Sequence, residues 1–216
     1  GSNSISVIAT ENDQVLSETI TGVSGGPDGI AFTSDGSKMY VSTNNDTIWV
    51  VDPQTSAIVG SPINLPTGAG PQSIIRNPVS NYFYIANYGG SVSILNPADN
   101  TIQNVIGSGL TAPEGLAVSP NGLITYVTNV DSNTVVAINS DPSSPNFNHI
   151  TQVITVGMYP VGVTFSPDSN YAYVANWGNS PAESSVSVIR TSDGSVINTI
   201  LDSRLRGVEG IVVSPE

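Results

Sequence analysis

One unit recurs along this 216-residue chain, and it dictates what the chain can fold into. Pro27-Asp28-Gly29-Ile30-Ala31-Phe32-Thr33-Ser34-Asp35-Gly36 leads to Tyr40-Val41. Pro113-Glu114-Gly115-Leu116-Ala117-Val118-Ser119-Pro120-Asn121-Gly122 leads to Tyr126-Val127-Thr128-Asn129. Pro160-Val161-Gly162-Val163-Thr164-Phe165-Ser166-Pro167-Asp168-Ser169 leads to Tyr173-Val174-Ala175-Asn176. A weaker copy runs from Pro71-Gln72-Ser73 to Tyr84-Ile85-Ala86-Asn87, and a fifth start, Val208-Glu209-Gly210, stops just past its turn. The starts lie 44, 42, 47 and 48 residues apart. A period in the forties built of strands predicts a propeller or solenoid.

Each unit divides into four short strands. In the unit from Pro27, Gly29 to Thr33 is strand A and Ser34-Asp35-Gly36 a turn with a glycine suited to positive φ. Lys38 to Ser42 is strand B, Thr47 to Val51 strand C and Ser56 to Leu65 holds strand D, with polar or Pro-containing turns between them. Strand C recurs at 91–95, 134–138 and 185–189, and strand D near 102–106, 150–156 and 196–201. Four antiparallel strands joined by tight turns make one propeller blade. Burial on both faces between neighbouring blades accounts for an almost continuously apolar strand A.

The ends are out of phase with the blades. Residues 4–8 read as a strand C, 15–20 as a strand D and 210–214 as a strand A. The expectation is an all-β propeller in one domain, 1–216, with four full blades and a partial fifth built from both chain ends.

Seventeen acidic residues face five basic ones, a net charge of −12. Nucleic acid is excluded as a partner, because phosphate binding needs a basic stripe. The acidity favours cationic partners. With no cysteine there is no disulfide, thiolate or Cys-based zinc chemistry. No run of about 18 apolar residues is present, so membrane insertion is not expected. Gly1-Ser2 reads as an expression scar, so an export signal could have been cut away.

The verbatim Tyr126-Val127-Thr128-Asn129, the Pro-x-Gly starts and the Ser-Pro-Asn-Gly turn resemble the YVTN-type β-propeller repeat family over nearly the whole chain. The resemblance implies a binding or scaffolding module of cell-surface, surface-layer, secreted or periplasmic proteins, and it brings no catalytic residues. The departures are Thr43 in place of Asn, and Gln72-Ser73 and Asn77-Pro78 in the second copy.

Loop parity sorts the non-repeated residues. The loop leading from D into the next A lies on one face with the B–C loop, and the A–B and C–D loops lie on the other. The residue after each repeat start reads Asp28, Gln72, Glu114, Val161 and Glu209. These positions should ring the channel mouth, where Asp28, Gln72, Glu114 and Glu209 could hold Ca²⁺ through oxygen ligands or stay as solvated loop residues. The B–C loop Asn176–Ser184 is longer than its equivalents and carries Trp177, at the position of Tyr88 in the second copy. Met158 and Tyr159 share that face, and such aromatics suit a sugar or a protein hot spot, or simply pack over a blade edge. Arg204 and Arg206 could dock a carboxylate or form surface ion pairs. Arg76, standing where other copies have Phe32, Val118, Phe165 and Val213, is either in a structural ion pair or at a strand end reaching solvent. The single histidine, His149, sits in a Pro/Ser/Asn-rich insertion that reads as flexible, and one histidine cannot supply a multi-His metal site.

The leading expectation is a non-enzymatic binding or scaffold domain, extracellular or at the cell surface, that holds a protein or glycan. The alternatives are a lactonase-like or lyase-like propeller enzyme with a cation at the channel mouth, and a purely structural repeat domain of a larger surface protein.

Overall fold

The computed structural model describes residues 3–9, 11–180 and 183–214. Gly1-Ser2 and residues 181–182 of the long B–C loop lie outside the described residues. All regular structure there is β. Strands β1 (Ser4–Ala9) and β2 (Gln14–Thr21) form a hairpin. The next sheet holds β3 (Pro27–Phe32), β4 (Met39–Thr43), β5 (Thr47–Asp52), β6 (Ala57–Ile58) and β7 (Ile63–Asn64). Three four-stranded antiparallel sheets follow in meander order. They are β8 (Pro71–Arg76) to β11 (Thr101–Ile106), β12 (Pro113–Val118) to β15 (Ile150–Thr155), and β16 (Pro160–Phe165) to β19 (Ser195–Leu201).

The expected strand D of the first blade is broken in two. β6 pairs with the end of β5 and β7 with its start, and Gly60-Ser61-Pro62 interrupts the edge. Pro62 has no N–H to give the ladder, and Gly60 takes φ +71°.

The core is a set of layers between blades. The hairpin packs Ile20 and Val23 on Met39, Val41 and Val51 of the first blade. Tyr40 and Ile48 of the first blade meet Ile74, Phe83 and Ile85 of the second. Tyr84 and Ile94 meet Leu116 and Val127 of the third, and Tyr126 and Val135 meet Val163, Phe165 and Val174 of the fourth. Neighbouring blades thus stack face to face, each burying one side of the next.

The repeat residues build this stacking. In every full blade the A–B register is interrupted at the repeat start, Pro-x-Gly in three and Pro71-Gln72-Ser73 in the second. Gly115 lies so close to the Val161 carbonyl of the next blade that a Cβ there would collide with it. The Gly115 N–H donates to Thr128 Oγ1 (2.8 Å), and the Gly29 N–H donates to Ser42 Oγ (2.8 Å). The buried asparagine that ends strand B ties down the B–C turn: Asn87 Nδ2 donates to Ser91 and Ser93 Oγ, and Asn176 Nδ2 to Ser185 and Ser187 Oγ. Thr43, the departure in the first copy, closes its own turn by donating to Asn45 Oδ1 (2.6 Å). Asn77 fastens the second blade to the third, its Nδ2 donating to the Gly122 carbonyl (2.8 Å).

Two expectations need correction. Residues 208–214 form no strand, and among the described residues nothing pairs them with β1, so the sheet expected from both chain ends is not assembled. They lie against the fourth blade, where the Glu209 carbonyl covers Gly162 as Val161 covers Gly115, but with no strand B beside them no ladder forms. Val212 is accordingly 91% exposed. Strand A is also not buried everywhere. Phe165 packs on Tyr126 with ring centroids 4.9 Å apart, whereas its counterpart Phe32 is 48% exposed, because the hairpin before the first blade has no inner strands to cover it.

Candidate functional site

The D–A and B–C loops share one face in all four full blades, and backbone bonds tie them together. The Asn44 N–H donates to the Gly26 carbonyl, Tyr88 to Gly70, Val130 to Ala112 and Trp177 to Tyr159. The residue before each repeat start is left-handed: Gly26 (φ +72°), Gly70 (+58°), Ala112 (+47°), Tyr159 (+50°) and Gly207 (+60°). Glycine takes that conformation freely, and a bulky side chain does so only when its surroundings force it. Tyr159 therefore holds an aromatic ring at a strained position where three of the other four copies have glycine. Such strain concentrates at functional sites.

Tyr159 does not stand alone. Its N–H donates to Asn133 Oδ1 (2.8 Å), which anchors the strained loop to the third blade. Tyr159 is 40% exposed and Trp177 41%. With Val130, Val161, Gly178 and Asn179 they line a depression of about 460 Å³. Met158 borders them, its Sδ 3.2 Å from Asn179 Nδ2. The Trp177 ring lies within 4 Å of where a Cβ on Gly207 would stand, so it rests against backbone on one side. The long B–C loop is braced from within: Ser184 Oγ donates to the Trp177 carbonyl (2.6 Å) and accepts from the Gly207 N–H (3.0 Å).

The structure thus brings Met158, Tyr159 and Trp177 together and separates Tyr88 from them. Tyr88 is exposed on the same face two blades away, over Gly70, and does not line the depression. Arg204 donates from Nη2 to Asp202 Oδ2 at 2.6 Å, an exposed local ion pair that holds the Asp202 carboxyl below the usual carboxylate range. Arg206 is exposed and makes no ion pair among the described residues.

At the expected ring of residues after the repeat starts, burial raises the Glu114 carboxyl, and the charges of Glu209 and Asp28 raise it further. Asp28 is raised by burial alone. These three acids share one field. They do not, however, come together as a metal-ligating group: no three His, Cys, Asp or Glu residues do so among the described residues. Gln72 turns back to its own loop, its Nε2 reaching the Gly70 carbonyl at 3.5 Å. The expected four-oxygen cage is therefore absent as a preformed cluster.

On the opposite face, Arg76 makes no ion pair among the described residues. It is the strand-end alternative that holds, with Nη1 donating to Asn81 Oδ1 (3.1 Å). The His149 insertion is pinned rather than loose. Asn148 Oδ1 accepts from the Tyr84 hydroxyl (2.6 Å), and Phe147 packs on Tyr82. The strain at Tyr159 escaped the sequence reading, although aligning the five residues before the repeat starts exposes it.

No protein-family model and no curated protein matches the chain. Solved structures do. Hydrazine synthase of Kuenenia stuttgartiensis superposes with a TM-score of 0.71 at 22% identity, over 82% of this chain and 49% of that one. A protein of Bacteroides uniformis ATCC 8492, named as a candidate 6-phosphogluconolactonase, superposes with a TM-score of 0.75 at 14% identity, over 92% of this chain and 64% of that one. The chain spans about half the length of the first and under two thirds of the second. At these identities the likeness is one of fold, and the fold is an all-β, propeller-like row of four-stranded antiparallel blades.

Proposed function

We propose that this chain is a non-enzymatic binding propeller of the cell surface or secreted space, which holds a glycan or protein on the face carrying the D–A and B–C loops. The observation that carries this is Tyr159, kept in a strained backbone beside Trp177 over an open depression. Aromatic faces next to amide groups such as Asn179 suit the apolar faces and hydroxyls of a sugar, or an interface anchor. The YVTN-type repeat pattern supports the same reading.

The test is a glycan and protein-ligand screen with Trp177→Ala and Tyr159→Gly as controls. Tyr159→Gly removes the ring while suiting the backbone, as Gly26 and Gly70 do. Ligands lost in both variants, with unchanged far-UV spectra, are the expected result. Ligands retained by both refute the site, and a screen without ligands favours the purely structural reading.

A propeller enzyme remains the second reading, favoured by the raised Glu114 carboxyl at the mouth and by the fold shared with a candidate lactonase. Calcium that gathers the three acids would raise the melting temperature of the chelated protein, because a ligand of the folded state stabilises by mass action. Loss of that shift in Asp28→Asn/Glu114→Gln/Glu209→Gln supports the cation, and no shift in the parent protein refutes it.

A further inference from the structure

The chain has only five basic residues, and the structure places two of them in one cleft on the face opposite Tyr159. Lys38 comes from the A–B turn of the first blade and Arg76 from the end of β8 in the second. Arg190 and Arg204 are each paired with a carboxylate, Asp193 and Asp202. Lys38 and Arg76 have only neutral acceptors. Lys38 Nζ donates to the Pro97 carbonyl (2.9 Å) and Asn100 Oδ1 (3.2 Å). Arg76 donates through Nη1 alone, to Asn81 Oδ1 (3.1 Å) and the Asn77 carbonyl (3.4 Å). Nη2 and Nε have no partner among the described residues. Two cations and a single carboxylate, Asp35, line this cleft, which leaves it net positive and suited to an anion.

The cleft has a volume of about 480 Å³, within the range that holds small ligands. Ser37, Ser80 and Asn81 also line it. Asp35 stands at the rim. Its Oδ1 accepts from Thr33 Oγ1, Ser37 N and Ser37 Oγ, while Oδ2 is left to accept from a ligand hydroxyl. Unpaired cations, hydroxyls and one carboxylate acceptor together describe a ligand with an anionic head and a hydroxylated body.

We propose that this cleft binds an acidic monosaccharide, with Arg76 gripping the sugar carboxylate through its free fork and Lys38 adding charge. A guanidinium fork matches a carboxylate in two parallel bonds, which an ammonium cannot do. Asp35 Oδ2 accepts from a sugar hydroxyl. The site lies away from the aromatic depression and does not depend on it.

The experiment is calorimetric titration of the whole chain at low ionic strength with D-galacturonate, neutral D-galactose and inorganic phosphate. Galacturonate is expected to bind at least tenfold more tightly than either of the others, and to weaken as salt is added. Arg76→Gln and Lys38→Met should each weaken it tenfold or more, and Arg76→Lys should fall between. Trp177→Ala should leave it unchanged. Thermal melts establish that each variant is folded, and Arg76→Lys keeps the test open should Arg76→Gln not fold. Galacturonate binding no tighter than galactose, phosphate binding equally well, or affinity unmoved in the folded Arg76 variants would overturn the proposal. Affinity lost in Trp177→Ala would place the ligand on the other face.

Discussion

In the first two blades the tyrosine of strand B latches onto the next blade, and removing one hydroxyl measures it. Tyr84 is fully buried, and its hydroxyl donates to Asn148 Oδ1 in the next blade at 2.6 Å. Tyr40 does the same to Asn100, also at 2.6 Å. Both acceptors sit just before strand D with φ near +60°. Tyr84→Phe keeps the ring and its apolar contacts, so only the hydrogen bond is lost. Such a bond contributes about 0.5–1.5 kcal/mol net, and an acceptor stranded in a dry place costs about 1–3 kcal/mol. Asn148 is half-buried, so water can reach it and the penalty is partial. The expected loss is about 1–2 kcal/mol. Tyr173 occupies the same position in the fourth blade, is only half-buried and makes no hydroxyl bond among the described residues. Tyr173→Phe should therefore stay within about 0.5 kcal/mol of the parent, as surface changes do.

The assay is urea unfolding at pH 7 followed by tryptophan fluorescence, with the slope checked for unchanged cooperativity, since stacked repeats can unfold in stages. A double-mutant cycle with Asn148→Gly isolates the bond, because glycine accepts the left-handed backbone and Gly194 occupies that place in the fourth blade. Tyr84→Phe within about 0.3 kcal/mol of the parent, which the bond energy above does not allow, or Tyr173→Phe costing as much, would refute the latch.

Burial also raises the phenols of Tyr40 and Tyr126 to about 12, so the fold favours their neutral form. Their contribution is fully present below pH 10, the ordinary phenol value, and is lost as pH rises towards 12; chemical denaturation at pH 7, 10 and 11.5 should show stability falling only over the upper interval. Gly115→Ala should cost about 1–3 kcal/mol, because its Cβ would meet the Val161 backbone of the next blade; a melt unchanged from the parent would mean that blade spacing yields freely.

Almost every strand was legible because its signal is local. Short β-branched runs between Gly, Pro, Asn and Asp turns mark β5, β10, β14 and β18 without reference to the rest of the chain. The failures all depend on a neighbour. Residues 208–214 have the composition of strand A, but a strand needs a partner, and no strand B lies beside them. Phe32 reads like Phe165, yet only Phe165 has a preceding blade with inner strands to cover it. In the first blade, strand D reads as one run until Pro62 is seen to lack the donor its edge needs. The Lys38 and Arg76 cleft was illegible for the same reason: the two residues are 38 positions apart and meet only because adjacent blades stack.

Repetition separates scaffold from function more sharply than residue type does. The repeated polar groups spend their bonds inside the fold. Thr33, Ser119 and Ser166 donate to Asp35, Asn121 and Asp168 in the A–B turns, and Asn87 and Asn176 hold the B–C turns. A side chain already committed to two or three internal partners has little left for a ligand. Free chemistry should therefore lie where one copy departs from the others without a structural use for the change. Thr43 and Asn77 depart and are fully employed within the scaffold. Tyr159 departs at a conformational cost, and Trp177 stands beside it on a lengthened loop. Arg76 departs by placing a cation where the four other copies have apolar side chains, and most of its donors have no partner among the described residues. On that physical criterion the aromatic depression and the basic cleft, on opposite faces of the blades, are the two places where side chains keep chemistry that the scaffold does not use.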